Sequence, residues 1–468
     1  MTHRFAPETL REYDIRGTVG VTLSTADADA VGRGFATAVR EAGGHRVAVG
    51  YDGRLTSPAL EAALVTGLVA SGVDVVRIGL GPTPMLYFAE ATLEVDGGVQ
   101  ITGSHNPAED NGFKLVLQHR SFFGAAIQRL AARAAVGDWA GSAGSAGSAG
   151  SAGSAGSVTD IDLRDAYVAR LLAGHDGGAY RIAWDCGNGA SGAIVERLTT
   201  LLPGEHHLLF TEIDGHFPHH HPDPTVEANL ADLKRVVVDR NLHFGVAFDG
   251  DGDRIGVVDA RGRVVWADQL LALLAEPVLA RRPGATIIGD VKASQALFDR
   301  IATLGGDPVM WKSGHSLMKE KLHESGAPLG GEMSGHIFFG EDFHGVDDAH
   351  YAAIQLIAAL DRAGQPLDAL VDALPHYVNT PELRFAVAED RKVAVVEDVL
   401  ARLTAAGAAI DTTDGARVTT SDGWWLLRAS NTQAALTVRA EARSQPALDR
   451  LLAEVDAQLA ASGVNRAA

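Results

Sequence analysis

The chain has a single cysteine, Cys186, among its 468 residues, so it can close no internal disulfide, and a reducing compartment is expected. Basic charge is in deficit as well: 40 Lys and Arg against 59 Asp and Glu leave a formal net charge of −19. That balance opposes an extended nucleic-acid surface, and an anionic substrate must be drawn by a local cluster of cations. Long apolar runs are missing too. No uninterrupted apolar span is long enough to cross a bilayer, and the opening stretch MTHRFAPETLREYDIRG holds no apolar signal core. These absences point to the cytoplasm, with neither nucleic acid nor membrane as a partner. Core material is ample, since 46% apolar residues over 468 positions suffice for three or four domains of ordinary size.

The chain is organised around residues 101–114, which read ITGSHNPAEDNGFK. An apolar run at 98–101 is expected to deliver, as a strand, a turn in which Gly103 frees the backbone while Asn106 and Pro107 stop any continuing helix. Such a turn holds the Ser104 hydroxyl in the open, with His105 beside it and Lys114 further along to stabilise negative charge. Taken alone, a serine in such a turn reads as a solvated loop residue.

Three other stretches change that reading. In FDGDGDRIGVV, residues 248–258, Asp249, Asp251 and Asp253 alternate with glycine after an apolar run. Three carboxylates so close repel one another unless a hard cation sits among them, and oxygen ligands suit Mg²⁺. A calcium EF-hand is excluded, because Arg254 and Ala260 stand where its loop needs Gly and Glu. In GGEMSGH, residues 330–336, Glu332 and Ser334 are spaced to bond neighbouring sugar hydroxyls, and His336 can move a proton. In RASNTQ, residues 428–433, Arg428 with Ser430, Asn431 and Thr432 has the make-up of a phosphate cradle. Each of these last two also has the composition of a plain polar turn.

Together with YDIRG at 13–17, these stretches resemble in content and order the signatures of the alpha-D-phosphohexomutases, within them the bacterial phosphomannomutase/phosphoglucomutase group. The resemblance spans nearly the whole chain. It implies that Ser104 is a phosphoserine that gives and regains a phosphoryl group, and that Asp249, Asp251 and Asp253 hold Mg²⁺ together with the Ser104 oxygen. The loop from Glu332 to His336 would recognise the sugar, and Arg428, Ser430, Asn431 and Thr432 would hold the phosphate that is not being transferred. The same resemblance places Arg16 in the active site and Tyr13, His105, Arg254, Lys292 and His315 in contact with substrate. The implied reaction interconverts hexose 1-phosphate and hexose 6-phosphate through a hexose 1,6-bisphosphate that turns end for end. Arg16, Lys114 and His336 are the candidates for proton transfer and charge stabilisation, and His336 leads because a guanidinium is a poor base. A phosphoglucosamine mutase would usually carry Gln where Met333 lies, so Met333 favours mannose and glucose phosphates. A non-catalytic sugar-phosphate sensor on the same scaffold and a metal phosphatase are the rivals of other classes.

Four segments end an apolar run in Asp near Gly: RVAVGYDG at 46–53, RIAWDCG at 181–187, FGVAFDG at 244–250 and TIIGD at 286–290. They suggest buried parallel strands in successive α/β units, with active groups at the strands' carboxyl ends. The expected fold class is α/β: three successive mixed α/β domains, at 1–140, 158–259 and 260–374, and a smaller α+β domain at 375–468, around a central cleft. Helices are expected at 58–71, 391–406 and 445–460, and strands at 73–78, 417–420, 424–428 and 434–439. Residues 141–157 repeat Gly-Ser-Ala and read as a flexible linker without catalytic role. GHFPHHHPDPTVE, with His216, His219, His220 and His221, reads as a loop, since adjacent histidines point in alternating directions and do not converge on a metal. A monomer or weak dimer is expected.

Overall fold

The structure, a computed structural model, describes residues 2–139, 155–175, 177–340, 343–430 and 434–465. Among the described residues the strands form four separate sheets of seven, five, five and six members, in chain order. In the first, Arg46–Tyr51 lies parallel to both Asp74–Leu80 and Gly97–Ile101. The helices Ser57–Ala70 and Thr83–Thr92 make the crossovers, as parallel neighbours require. Asp110–Leu117 then returns antiparallel to Gly97–Ile101, and Ile15–Thr18 pairs antiparallel with it in turn.

The second and third sheets repeat that plan. Tyr180–Asp185 lies parallel to Gly204–Leu209 and Phe244–Phe248, beyond which Ile255–Asp259 runs antiparallel. Thr286–Asp290 lies parallel to Asp307–Trp311 and Leu329–Gly331, beyond which Ile337–Phe339 runs antiparallel. The central strands are covered on both faces, which is why Gly97–Ile101 and Phe244–Phe248 are buried along their whole length and carry little polar alternation. The fourth sheet is antiparallel around Gly423–Ala429 and Ala435–Ala442, against the helices Lys392–Ala405 and Gln445–Ala461. Three mixed α/β units and an α+β unit are therefore present, with element ends within a few residues of those read from the sequence pattern.

One strand lies elsewhere than expected. Val158–Asp160 pairs parallel with Asp74–Leu80, so the residues just after the repetitive stretch extend the first sheet and do not open the second. The edge of Asp74–Leu80 offers unpaired backbone groups, and Asp74 fastens the incoming chain by accepting both the Ser157 backbone N–H and hydroxyl at 2.7 Å. The second unit then begins with the helix Arg164–Leu171. Of the expected linker, residues 141–154 lie outside the described residues.

The cores are unequal in reach. One continuous apolar cluster joins Met85 and Leu86 of the first unit to Trp184, Phe244 and Phe248 of the second and Leu271, Ile287 and Ile337 of the third. The fourth unit has a core of its own, with Val399, Trp425, Leu436 and Leu451. Its apolar seam with the third unit is Val291 against Trp424 and Leu426. Among the described residues no helix is long and apolar enough to cross a membrane.

Candidate active site

The serine, aspartate and Glu332 loops are each the turn of a hairpin that joins a parallel strand to its antiparallel neighbour. Ser104 follows Gly97–Ile101, and the pairing of Gln100 with Lys114 brings the lysine back beside it. The aspartate loop joins Phe244–Phe248 to Ile255–Asp259, and the loop of Glu332 to His336 joins Leu329–Gly331 to Ile337–Phe339. An isolated bridge between Arg254 and His336 ties those two loops together. The carboxyl ends of three sheets thus face one cleft, as open α/β sheets favour.

Ser104 Oγ donates to Asp249 Oδ2 at 2.7 Å and lies 3.2 Å from His105 Nδ1. Lys114 Nζ donates to Asp251 Oδ2 at 2.7 Å and also to Asp253 Oδ2, while the Thr83 hydroxyl donates to Asp251. All three aspartates are fully buried. Burial and the neighbouring carboxylates push Asp249 well above the ordinary carboxylate range. Burial would raise Asp253 also, but Lys114 and His336 override it and hold that carboxyl well below its usual value. Burial disfavours the Lys114 ammonium, yet Asp251 and Asp253 outweigh it and raise the pKa. The shift favours the charged form of the lysine.

The trio fits a divalent cation on chemical grounds. Asp249, Asp251 and Asp253 each offer an oxygen, the three within 4.8 Å of one another. Asp251 Oδ1 is buried and has no hydrogen-bond partner, a costly arrangement that a hard cation would relieve.

On the opposite wall, His336 Nδ1 lies 3.0 Å from Glu332 Oε2 and 3.0 Å from Ser334 Oγ, and its Nε2 lies 3.2 Å from Asp253 Oδ1. Burial would lower its pKa, but Asp253 and Glu332 overcome both burial and the nearby Arg254 and push it up to about 9. His105 and His315 go the other way. Burial, with Arg254 and Arg16 near the first and Lys319 and Lys114 near the second, lowers both well below the imidazole norm, so both rings are neutral.

Contacts run outward from this centre to the fourth unit. Glu332 accepts the Gly314 N–H, and the Tyr13 hydroxyl donates to the Ser313 carbonyl at 2.8 Å. Tyr13 also meets the His315 ring edge-on at 5.8 Å. Asp414 accepts the Ser313 N–H at 3.1 Å and pairs with Arg428 at 3.0 Å. Lys292 sits 3.8 Å from Asp290 and 3.7 Å from Glu382. The Ser430 carbonyl accepts Lys392 Nζ at 2.7 Å. No hydrogen bond or ion pair among the described residues links Arg428 or Lys292 to Ser104 or the aspartates, so these two form the outer rim. Asn431 and Thr432 lie outside the described residues.

One expectation from the sequence needs correction. Gly103 does not carry the unusual backbone angle; Ser104 itself does, with φ 50°. Gly103 is needed for space, since a Cβ there would lie 2.4 Å from the Arg54 guanidinium. Arg16, read as a candidate for proton transfer and charge stabilisation, braces the loop. It pairs with Asp14 at 2.5 Å and donates to Asn106 Oδ1 at 2.9 Å and the Gly103 carbonyl at 3.2 Å.

Sequence reasoning missed Arg54. Fully buried, it donates to the carbonyls of Ser104 at 2.7 Å, Asn106 at 2.6 Å and Asp110 at 2.9 Å, and also to that of Pro107. Its signal was the strand end RVAVGYDG, which stops one residue short of it. Asp347 was missed as well: it pairs with Lys319 at 3.0 Å and stands 3.8 Å behind His336 Nε2. The four histidines of 216–221 find separate partners, and among the described residues no metal-competent group includes them.

Comparison with known proteins agrees along the chain. Residues 7–136, 165–262 and 266–377 match the phosphoglucomutase/phosphomannomutase alpha/beta/alpha domains I, II and III, and 382–458 match the C-terminal domain of the same family. A phosphomannomutase/phosphoglucomutase of Pseudomonas aeruginosa is 41% identical over 445 residues, covering 94% of this chain and 93% of that protein. A phosphoglucomutase of Neisseria gonorrhoeae is also 41% identical, covering 94% of each chain. A crystal structure of a phosphoglucomutase/phosphomannomutase family protein from Burkholderia thailandensis superposes with a TM-score of 0.91 at 41% identity, over 98% of both chains. With all four domains matched in order and these identities over nearly its full length, the chain belongs to the phosphoglucomutase/phosphomannomutase family, the bacterial group of the alpha-D-phosphohexomutases.

Proposed function

We propose that this protein interconverts hexose 1-phosphate and hexose 6-phosphate, with mannose and glucose as the sugars, and that Ser104 carries the phosphoryl group between them. The observation that carries this reading is the 2.7 Å contact between Ser104 Oγ and Asp249 beside an unpartnered buried oxygen of Asp251. The names of relatives 41% identical over nearly the whole chain support the same reaction.

In the first half of the cycle a sugar hydroxyl attacks phosphorus in line as the bond from phosphorus to Ser104 Oγ breaks. The hydroxyl proton leaves for a base and the seryl oxygen takes up negative charge. In the second half Ser104 Oγ attacks the other phosphate of the turned bisphosphate, and the bond from that phosphorus to the sugar oxygen breaks. Lys114, locked between Asp251 and Asp253, supplies a fixed positive charge to that region. Neutral His105, 3.2 Å from the seryl oxygen, donates a hydrogen bond to it. His336 is the group assigned to the hydroxyl proton: it accepts it from the attacking sugar hydroxyl in the first half and returns it to the leaving sugar oxygen in the second. Mg²⁺ held by Asp249, Asp251, Asp253 and the seryl oxygen would set positive charge against the phosphoryl oxygens.

Glu332 and Ser334, already bonded to His336, keep lone pairs for sugar hydroxyls. Arg428, Ser430, Asn431 and Thr432 would hold the phosphate at the far end, with Lys292 and Tyr13 near them, while Arg254 and His315 would meet the substrate beside the aspartates and His336. The hexose 1,6-bisphosphate must turn within the site so that either phosphate can return to Ser104. The test is intact-mass measurement for one added phosphate, lost in Ser104→Ala, with side-by-side assays on mannose, glucose and glucosamine 1-phosphates. Release of inorganic phosphate without isomerisation would instead identify a phosphatase, and preference for the amino sugar would overturn the reading of Met333.

A further inference from the structure

The stretch GHFPHHHPDPTVE plays no part in this cycle, yet its tip reaches the serine loop. His221 Nε2 donates to the backbone carbonyl of His105. A carbonyl can only accept, so the proton resides on Nε2 whether the ring is neutral or charged. The histidine is mounted on a stiff strut. On one side, His219 Nδ1 lies 2.8 Å from Asn188 Oδ1 with its ring stacked on Phe210 at 4.0 Å. His220 Nε2 lies 3.1 Å from both carboxylate oxygens of Asp185, at the carboxyl end of Tyr180–Asp185. On the other side, Pro222 and Pro224 fix the backbone, and Asp223 between them accepts the Thr225 N–H at 3.0 Å and hydroxyl at 2.6 Å.

The strut meets a loop that is gripped from two further directions. Arg54 takes the Ser104 carbonyl from below, with the Phe217 ring 5.3 Å from its guanidinium. Gly250 lies so close above that a Cβ there would stand 2.3 Å from the same carbonyl. Arg54 belongs to the first unit, whereas His221 and Gly250 belong to the second, which also carries the aspartates. The His221 bond therefore fixes the position of the serine loop relative to the carboxylates it must meet.

We infer that His221 is a positioning residue for phosphoryl transfer, a hook from the second unit that holds the His105 backbone so that the Ser104 hydroxyl stays in register with Asp249. The inference rests on the reading of Ser104 as the phosphoryl carrier. In-line transfer tolerates little misplacement, with a shift of about 1 Å costing on the order of 100-fold.

Two full-length variants test it. His221→Leu removes the donor, and His221→Gln places an amide N–H where Nε2 stood. His221→Leu lowers kcat about 10- to 100-fold with KM changed by less than about twofold and an unaltered thermal midpoint, and His221→Gln recovers most of the rate. Hydrogen exchange across residues 102–110 rises in the leucine variant and returns to the parent level in the glutamine variant. Parent-like kcat in His221→Leu, equal loss in both variants, or a loss that tracks global unfolding overturns the hook. A parent protein inert towards hexose phosphates overturns the proposed function instead, and the exchange measurement then still decides whether the hook exists.

Discussion

The two ends of the cleft are built differently. At the serine end, the first unit keeps a core of its own, with Val99, Ile101 and Phe113, but one face of it, with Met85, Leu86 and Phe88, is fused into the apolar core of the second and third units. There Arg54 alone donates to four backbone carbonyls of the loop. At the Arg428 end, the fourth unit has a separate core and meets the third through an apolar seam of Val291, Trp424 and Leu426. The polar part of that seam also lies on backbone. Arg417 donates to the carbonyls of Val291 at 2.6 Å and Ala293 at 3.0 Å, and Arg439 to that of Lys292 at 2.7 Å. Burial lowers Arg417 to about 10, so it stays charged in its place over the Trp424 ring, 3.7 Å away. Under the proposed function, chemistry falls at the fused end and capture of the distal phosphate at the separately cored end, where inter-domain movement is the default expectation.

The comparison breaks most completely at its centre. Ser104→Ala removes the phosphoryl carrier while leaving the Arg54 bonds to the backbone in place. Turnover falls by on the order of 10³-fold or more, with an unchanged thermal midpoint. Steady-state conversion of glucose 1-phosphate at a rate near that of the parent protein would show that the fused end is not where chemistry occurs.

Lys114→Met comes next. It strips the buried aspartates of a cation bonded to two of them, and removing one partner of a buried pair costs about 3–5 kcal/mol. Chemical denaturation in the presence of a chelator reads that loss. Added Mg²⁺ should then stabilise the variant more than the parent, since the bare carboxylates bind it without competition from the ammonium. An equal response of both proteins to Mg²⁺ would place the ion elsewhere.

The rim predicts a different kinetic signature. Arg428→Ala frees Asp414 and removes the guanidinium of the distal cradle, so KM rises by roughly 10- to 100-fold while kcat changes by less than about fivefold. A matching fall in kcat with unchanged KM would move Arg428 into the chemical step and erase the contrast between the two ends.

What was legible in the sequence follows the same division. Ser104, the aspartates and the loop of Glu332 to His336 lie in short contiguous motifs, because each occupies the turn of a single hairpin and local chain chemistry shapes a turn. Strand ends such as FGVAFDG announce themselves through burial on both faces followed by Asp and Gly. Arg54 was not legible. Its role exists only because Arg46–Tyr51 and Gly97–Ile101 are parallel neighbours, so the end of one strand lies under the turn that follows the other. Asp347 and Thr83 were hidden for the same reason, as each reaches the site from another element. The strand Val158–Asp160 could not be placed from its own residues, since what recruits it is the open edge of Asp74–Leu80.

The smallest effect expected concerns the strut behind the serine end. Burial disfavours the charged form of His220, but its hydrogen bond to Asp185 and that residue's charge outweigh burial and raise its pKa above the ordinary value. A folded-state pKa above the unfolded one means that the stabilisation is fully present below the unfolded value of about 6.5 and is lost as pH climbs through the folded value. His220→Gln keeps a hydrogen-bond donor to Asp185 but cannot titrate, so the parent should exceed the variant in thermal midpoint at pH 5.5 by more than it does at pH 8.5. Asp232 adds to the same attraction from the neighbouring helix, so Asp232→Asn should reduce the slope without abolishing it. A pH-independent gap between parent and His220→Gln would mean that the ring is held as a neutral acceptor or donor, and that the strut owes its stiffness to Pro222 and Pro224 and not to charge.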